Sequence, residues 1–134
     1  ISKKKIIEME KKKTGKLFSF CCAAPAIIKN KSNKEIKFFE NIGLNIGLLF
    51  QIADDLIDFR GNSKKAGKKT GKDQKKGKAT LISLLGYRNA IKYCDKIIVD
   101  INKKLKKYGQ NQKNIKETLN YILYRDKWNR IIIF

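Results

Sequence analysis

Apolar residues recur at Ile36, Phe39, Ile42, Ile46, Leu49, Phe50, Ala53 and Ile57. Steps of three and four residues stack side chains on one face of an α-helix and not on a strand. The spacing predicts a helix from Glu35 to Phe59, preceded by the polar link "KNKSNKE", in which Ser32 or Asn33 can cap it. Upstream, Ile6 to Ile28 is also apolar-periodic. It is interrupted by "KKTGK" and by Pro25, which lacks an N–H and is expected to end or bend that helix. Gly43 and Gly47, four positions apart, leave room for a neighbouring helix to come close.

Downstream, "TLISLLGYRNA" predicts a further apolar helix. After it, Ile91, Cys94, Ile97, Ile98, Ile101 and Leu105 share one side, with lysines opposite. Ile115, Leu119, Ile122 and Leu123 repeat the pattern before "YRDK". The terminal "RIIIF" carries the one strand signal, and the class is all-α. Between the second and third of these blocks lies "RGNSKKAGKKTGKDQKKGKAT", with four glycines and almost no apolar residue. Alone it would read as a disordered basic linker. An apolar helix follows at once, so it is expected to be an internal loop of one folded unit.

Composition refines this picture. A chain of 134 residues, 42% of them apolar, is one domain's worth of sequence with enough apolar mass for a core. The start "ISKKKIIEME" has neither a leader pattern nor an initiator methionine and opens already amphipathic. The chain is therefore expected to be the later part of a longer protein. No stretch reaches the roughly 18 uninterrupted apolar residues of a spanning helix. Three cysteines without any histidine exclude the common zinc patterns. Cys21, Cys22 and Cys94 read as small core residues of a reducing, cytoplasmic compartment.

The formal net charge of +20 suggests a polyanion partner, but its chemistry argues otherwise. Arginine occupies only positions 60, 88, 125 and 130, so 28 of the 32 basic residues are lysine. Lysine spread along every exposed helix face is a solvated coat. Nucleic-acid binding favours clustered arginine interleaved with stacking aromatics. No nucleic-acid partner is expected. The competing reading is a non-catalytic, lysine-rich helical module that binds nucleic acid or anionic membrane.

"FQIADDLIDF", residues 50–59, places three carboxylates on an otherwise apolar helix. On a helix Asp54 and Asp58 lie one turn apart on one face, and Asp55 is offset by about 100°. Like charges so close repel unless a cation lies between them. Oxygen donors without His or Cys suit a hard cation, first of all Mg²⁺, which prefers to share its shell with phosphate oxygens. Downstream, Gly61, Gly67, Gly71 and Gly77 give backbone freedom, and Lys68, Lys72 and Lys78 supply point charges. A surface acidic turn followed by a solvated charge run competes with this reading. It accounts for the loop but not for the apolar approach "GLLFQIA".

The run "GLLFQIADDLIDFRGNSKKAGKKTGKDQKKGKAT" resembles the second aspartate-rich region of the trans-prenyltransferases, the polyprenyl diphosphate synthases. The matched elements are Phe-Gln, Asp-Asp-x-x-Asp, Gly-Lys, Gly-x-Asp and Gly-Lys-x-Thr, in order. "KKKTG" at 11–15 is similar to the family's Lys-Thr motif. "YILYRDK" is similar to the C-terminal end of bacterial short-chain members, of the farnesyl and geranylgeranyl diphosphate synthase type. The resemblance covers about residues 6–127 and leaves 128–134 as an unexplained tail.

This resemblance implies the C-terminal part of an all-α, isoprenoid-synthase-type helical bundle, a single domain, homodimeric at full length. It implies that an allylic diphosphate ionises, isopentenyl diphosphate attacks the cation, and a proton leaves. Charge on the departing diphosphate is the physical problem, which Mg²⁺ and lysines relieve. By similarity Asp54, Asp55 and Asp58 hold Mg²⁺. Lys13 and Lys68 are the catalytic lysines on the allylic diphosphate, with Thr14 and Gln51 hydrogen-bonding to it or its metals. Lys78 and Asp73 support them, and Arg125 and Lys127 close over isopentenyl diphosphate. Phe38, Phe39, Phe50 and Phe59 are read as core rather than as prenyl-pocket lining. The family pairs two aspartate-rich motifs across its cavity, and this sequence holds the second alone. The separate chain is therefore expected to be inactive and to expose apolar helix faces.

Overall fold

The computed structural model describes residues 2–66 and 80–128, with side chains described over 2–61 and 80–125. Helix α1 (Lys3–Glu10) passes through a π-helical turn, Lys11–Gly15, into α2 (Lys16–Ile28). The 34-residue α3 (Asn33–Ala66) follows, then α4 (Leu81–Leu85) and α5 (Tyr87–Leu105). A 3₁₀ segment, Lys106–Gln112, turns the chain into α6 (Lys113–Trp128). No strand occurs among the described residues, as the spacing predicts. "RIIIF" lies outside the described residues.

Helix α3 is the axis of the fold and touches all five other helices. Its Ile42, Leu48, Leu49, Ile52, Ala53 and Leu56 are buried. Cys94, Ile98, Ile101 and Leu105 of α5 and Leu119, Ile122 and Leu123 of α6 complete the core around them. Each large aliphatic side chain hidden this way contributes about 1.5–3 kcal/mol. Of the two candidate caps, Ser32 starts α3. Its hydroxyl accepts from the Glu35 N–H at 3.3 Å and donates to Glu35 Oε2 at 3.2 Å.

The glycine pair does what its spacing predicts. A Cβ on Gly43 would lie 2.3 Å from the Phe18 carbonyl oxygen, and one on Gly47 would lie 2.6 Å from the Gly15 Cα. Helices α2 and α3 therefore meet backbone to backbone. On its opposite side α2 presents Leu17, Phe20, Ile27 and Ile28 to solvent, between 48% and 76% exposed. The expected uncovered apolar face is present.

Four local expectations need correction. Helix α2 does not stop at Pro25 but runs on to Ile28. Asn30 ends it instead, in the left-handed region at φ 49°. There the Lys31 N–H reaches the Ala26 carbonyl and the Asn30 N–H reaches that of Ile27, both at 2.9 Å, a Schellman closure. At its other end, α3 continues through residues 60–66, because that stretch contains no proline and a single glycine. "TLISLLGYRNA" is two helices, broken at Gly86 with φ 77° and started by a capping box between Thr80 and Ser83. Of the cysteines, only Cys94 is core; Cys22 is half-buried and Cys21 exposed, all three free.

The aromatic residues divide as well. Phe38, Phe39 and Phe50 are half-buried, whereas Phe59 is 47% exposed and stacks on Tyr87 at 5.7 Å. Phe59 is thus a surface stacking residue rather than core. Among the described residues no helix is long and apolar enough to cross a membrane.

Candidate functional site

Two elements build the site, and glycine packing sets their distance. The π-helical turn Lys11–Gly15 carries Lys13 and Thr14, and α3 carries Gln51 and the three aspartates. A Cβ on Gly15 would lie 3.3 Å from Leu44, so the turn rests directly on α3. One-turn π-insertions inside α-helices occur often at functional sites, because they re-aim side chains without ending the helix. Here the turn lowers Thr14 onto α3. Its hydroxyl donates to Gln51 Oε1 at 3.0 Å. From the other end of that amide, Gln51 Nε2 donates to Asp55 Oδ1 at 3.4 Å. Thr14, Gln51 and Asp55 form one hydrogen-bonded line from the turn to the acidic triplet.

Asp55 holds its proton more tightly than an ordinary carboxyl. Burial is the main cause; the Gln51 hydrogen bond opposes it, the charges of Asp58 and Asp54 add to it, and the Lys13 ammonium opposes it. Both neighbouring acids and the lysine therefore act on one carboxylate. Asp54 takes a different partner: Arg125 of α6 is ion-paired to its Oδ1. The guanidinium also lies 4.6 Å over the Phe50 ring, and its Nη1 donates to the Ile122 carbonyl at 3.4 Å. Asp58 is exposed.

The structure thus brings Lys13, Thr14, Gln51, Asp54, Asp55 and Asp58 to one end of the α2–α3 pair, with Arg125 set among them. It does not gather the carboxylates tightly: among the described residues no three acidic, His or Cys side chains form a metal-holding group. In donor type the set still fits a hard cation. It offers carboxylate oxygens alone, and a cation would relieve the like-charge repulsion at Asp55. Lys68, Asp73 and Lys78 lie outside the described residues, as does the side chain of Lys127.

The resemblance implies that Arg125 serves isopentenyl diphosphate; the structure adds its ion pair with Asp54, 71 positions away. No periodicity signals a contact so remote. The π-helical turn had a signal, since "KKKTG" interrupts an otherwise regular apolar spacing.

Residues 1–122 match the family model described as polyprenyl synthetase. The chain is 33% identical over 115 residues to the farnesyl diphosphate synthase of Micrococcus luteus, covering 86% of this chain and 40% of that protein. It is 37% identical over 110 residues to the geranylgeranyl diphosphate synthase of Saccharolobus solfataricus, covering 80% and 33%. Its fold matches the crystal structure of a geranyltransferase from Helicobacter pylori with a TM-score of 0.67 at 22% identity, over 93% of this chain and 39% of that one. That likeness bears on the fold, the all-α isoprenoid-synthase type expected above. The chain spans two-fifths or less of the length of each of these proteins.

Proposed function

Because this chain belongs to the polyprenyl synthetase family, we propose that it forms one wall of a Mg²⁺-dependent prenyltransferase site. That site would condense isopentenyl diphosphate with an allylic diphosphate in isoprenoid biosynthesis. One observation carries the reading: the line Thr14–Gln51–Asp55, with the charge of Lys13 acting on its acidic end. A solvated acidic turn has no use for a half-buried amide aimed at its middle carboxylate.

In this reading Asp54, Asp55 and Asp58 hold the metal. Mg²⁺, when bound, supplies positive charge to the departing diphosphate. Lys13 adds a point charge, and Lys68 a second. Thr14 fixes the Gln51 amide, which in turn orients Asp55. Lys78 and Asp73 take a supporting role, and Arg125 and Lys127 serve isopentenyl diphosphate. The working protein is a cytoplasmic homodimer in which a second aspartate-rich motif faces this one. By itself the 134-residue chain is expected not to turn over dimethylallyl or geranyl diphosphate.

The test compares geranyl diphosphate affinity with and without Mg²⁺ in wild type and in Asp54→Asn, Asp55→Asn and Asp58→Asn. Loss of the Mg²⁺-dependent component in these variants supports the site. Unchanged geranyl diphosphate binding, with tighter binding of an RNA oligonucleotide, would instead favour a lysine-coated polyanion binder.

A further inference from the structure

We propose that Arg125 is a displaceable counter-ion for Asp54, neutralising its carboxylate until a metal ion arrives. The inference rests on the reading of Asp54 as a metal ligand. Three acids on one end of a helix need a neighbouring cation, and at Asp54 that cation is a guanidinium from α6. The arrangement is asymmetric. Asp54 keeps 44% of its side-chain surface exposed, whereas Arg125 keeps 17%. A metal ion can reach the carboxylate from solvent while the guanidinium is still behind it.

A divalent ion on Asp54 and a guanidinium against the same carboxylate repel each other. Arrival of the metal therefore weakens the Asp54–Arg125 pair. Arg125 has somewhere to remain, because the Phe50 ring at 4.6 Å and the Ile122 carbonyl at 3.4 Å hold it independently of Asp54. Displacement then costs one ion pair and not a buried, orphaned charge. Since Arg125 lies near the end of α6, the exchange ties metal occupancy at α3 to the C-terminal turn of α6. Once released, the guanidinium is available to a second anion.

The test is a titration of the 134-residue chain with Mn²⁺ alone, followed by electron paramagnetic resonance. Arg125→Gln is expected to tighten Mn²⁺ binding about twofold to fivefold, the range of a partly exposed ion pair. Lys116→Gln removes the same charge about 13 Å further along α6 and is expected to leave the affinity unchanged. Equal affinity in Arg125→Gln and wild type, with Asp54→Asn still abolishing binding, overturns the exchange and leaves Asp54 a metal ligand. Mn²⁺ binding indifferent to Asp54→Asn, or no Mn²⁺ binding in wild type or Arg125→Gln, overturns the metal reading and the exchange with it.

A second measurement needs no substitution. The Arg125 side-chain Nε–H resonance is expected to shift along the Mg²⁺ saturation curve. A resonance that stays still through saturation overturns the exchange.

Discussion

The hydroxyl of Thr14 and the amide oxygen of Gln51 meet at 3.0 Å across 37 positions of sequence, and the other end of that amide holds Asp55. A residue on a helical irregularity is thereby linked to a carboxylate one turn beyond Gln51 on α3. Replacing Gln51 with Leu keeps the volume and removes both hydrogen bonds. The expected cost is about 1–2 kcal/mol in urea unfolding, with the Asp55 carboxyl moving further upward. Retention of full stability would mean that the line is not a structural connection.

Asp55 also gives a pH signature of known sign. Burial raises its folded value above the ordinary 3.8, with Gln51 opposing and its acidic neighbours assisting. A carboxyl that binds its proton more tightly when folded favours folding below 3.8, and this contribution disappears as the pH rises through the raised value. At neutral pH the ionised group therefore works against the fold. Asp55→Asn is expected to raise Tm at neutral pH and to leave it nearly unchanged below 3.8. Thermal melts at both pH values decide it.

The helix contact beneath the site is equally testable. Gly43→Ala would drive a methyl against the Phe18 carbonyl and the Ser19 Cα, both backbone atoms. The expected loss is about 2–3 kcal/mol, since α2 must move away from α3. Gly61→Ala meets nothing within 4 Å on the same helix. It is expected to gain up to about 1 kcal/mol from helix propensity. Chemical unfolding of the two variants side by side separates close packing from a general intolerance of alanine.

These contrasts show which parts of the fold were legible in the sequence. The steps among Ile42, Ile46 and Leu49 are local, and periodicity alone places them on one buried face. Gly43 and Gly47 were legible for the same reason, as a small-residue stripe on that helix. Gly86 was not, because a glycine permits a positive φ without requiring one, and "TLISLLGYRNA" is apolar on both sides of it. Pro25 marks the end of α2 only approximately, since the helix runs three residues further before Asn30 closes it. In the site, Lys13, Thr14 and Gln51 stand out in the sequence only through motif resemblance. The partner of Asp54 depends on how α6 returns across α3, and no short-range pattern carries that.

Thiol chemistry provides an independent check on the packing. Burial, with Asp95 nearby, pushes the Cys94 thiol up to about 12. Burial also raises Cys22, whereas Cys21 stands exposed. Under native conditions iodoacetamide is expected to modify Cys21 first and Cys94 only after denaturation. Mass spectrometry of timed samples reads the order. Early labelling of Cys94 would contradict the packing of α5 against α3.

Calorimetry of inorganic pyrophosphate binding to the wild-type chain, with Mg²⁺ and then with EDTA, weighs the acidic end against the lysine coat most directly. Binding that requires Mg²⁺ and survives moderate salt is the expected result, since metal-bridged carboxylates are screened less than exposed lysines. Binding that is the same in EDTA and fades as salt rises would assign the affinity to the lysines and contradict the metal-bridged site.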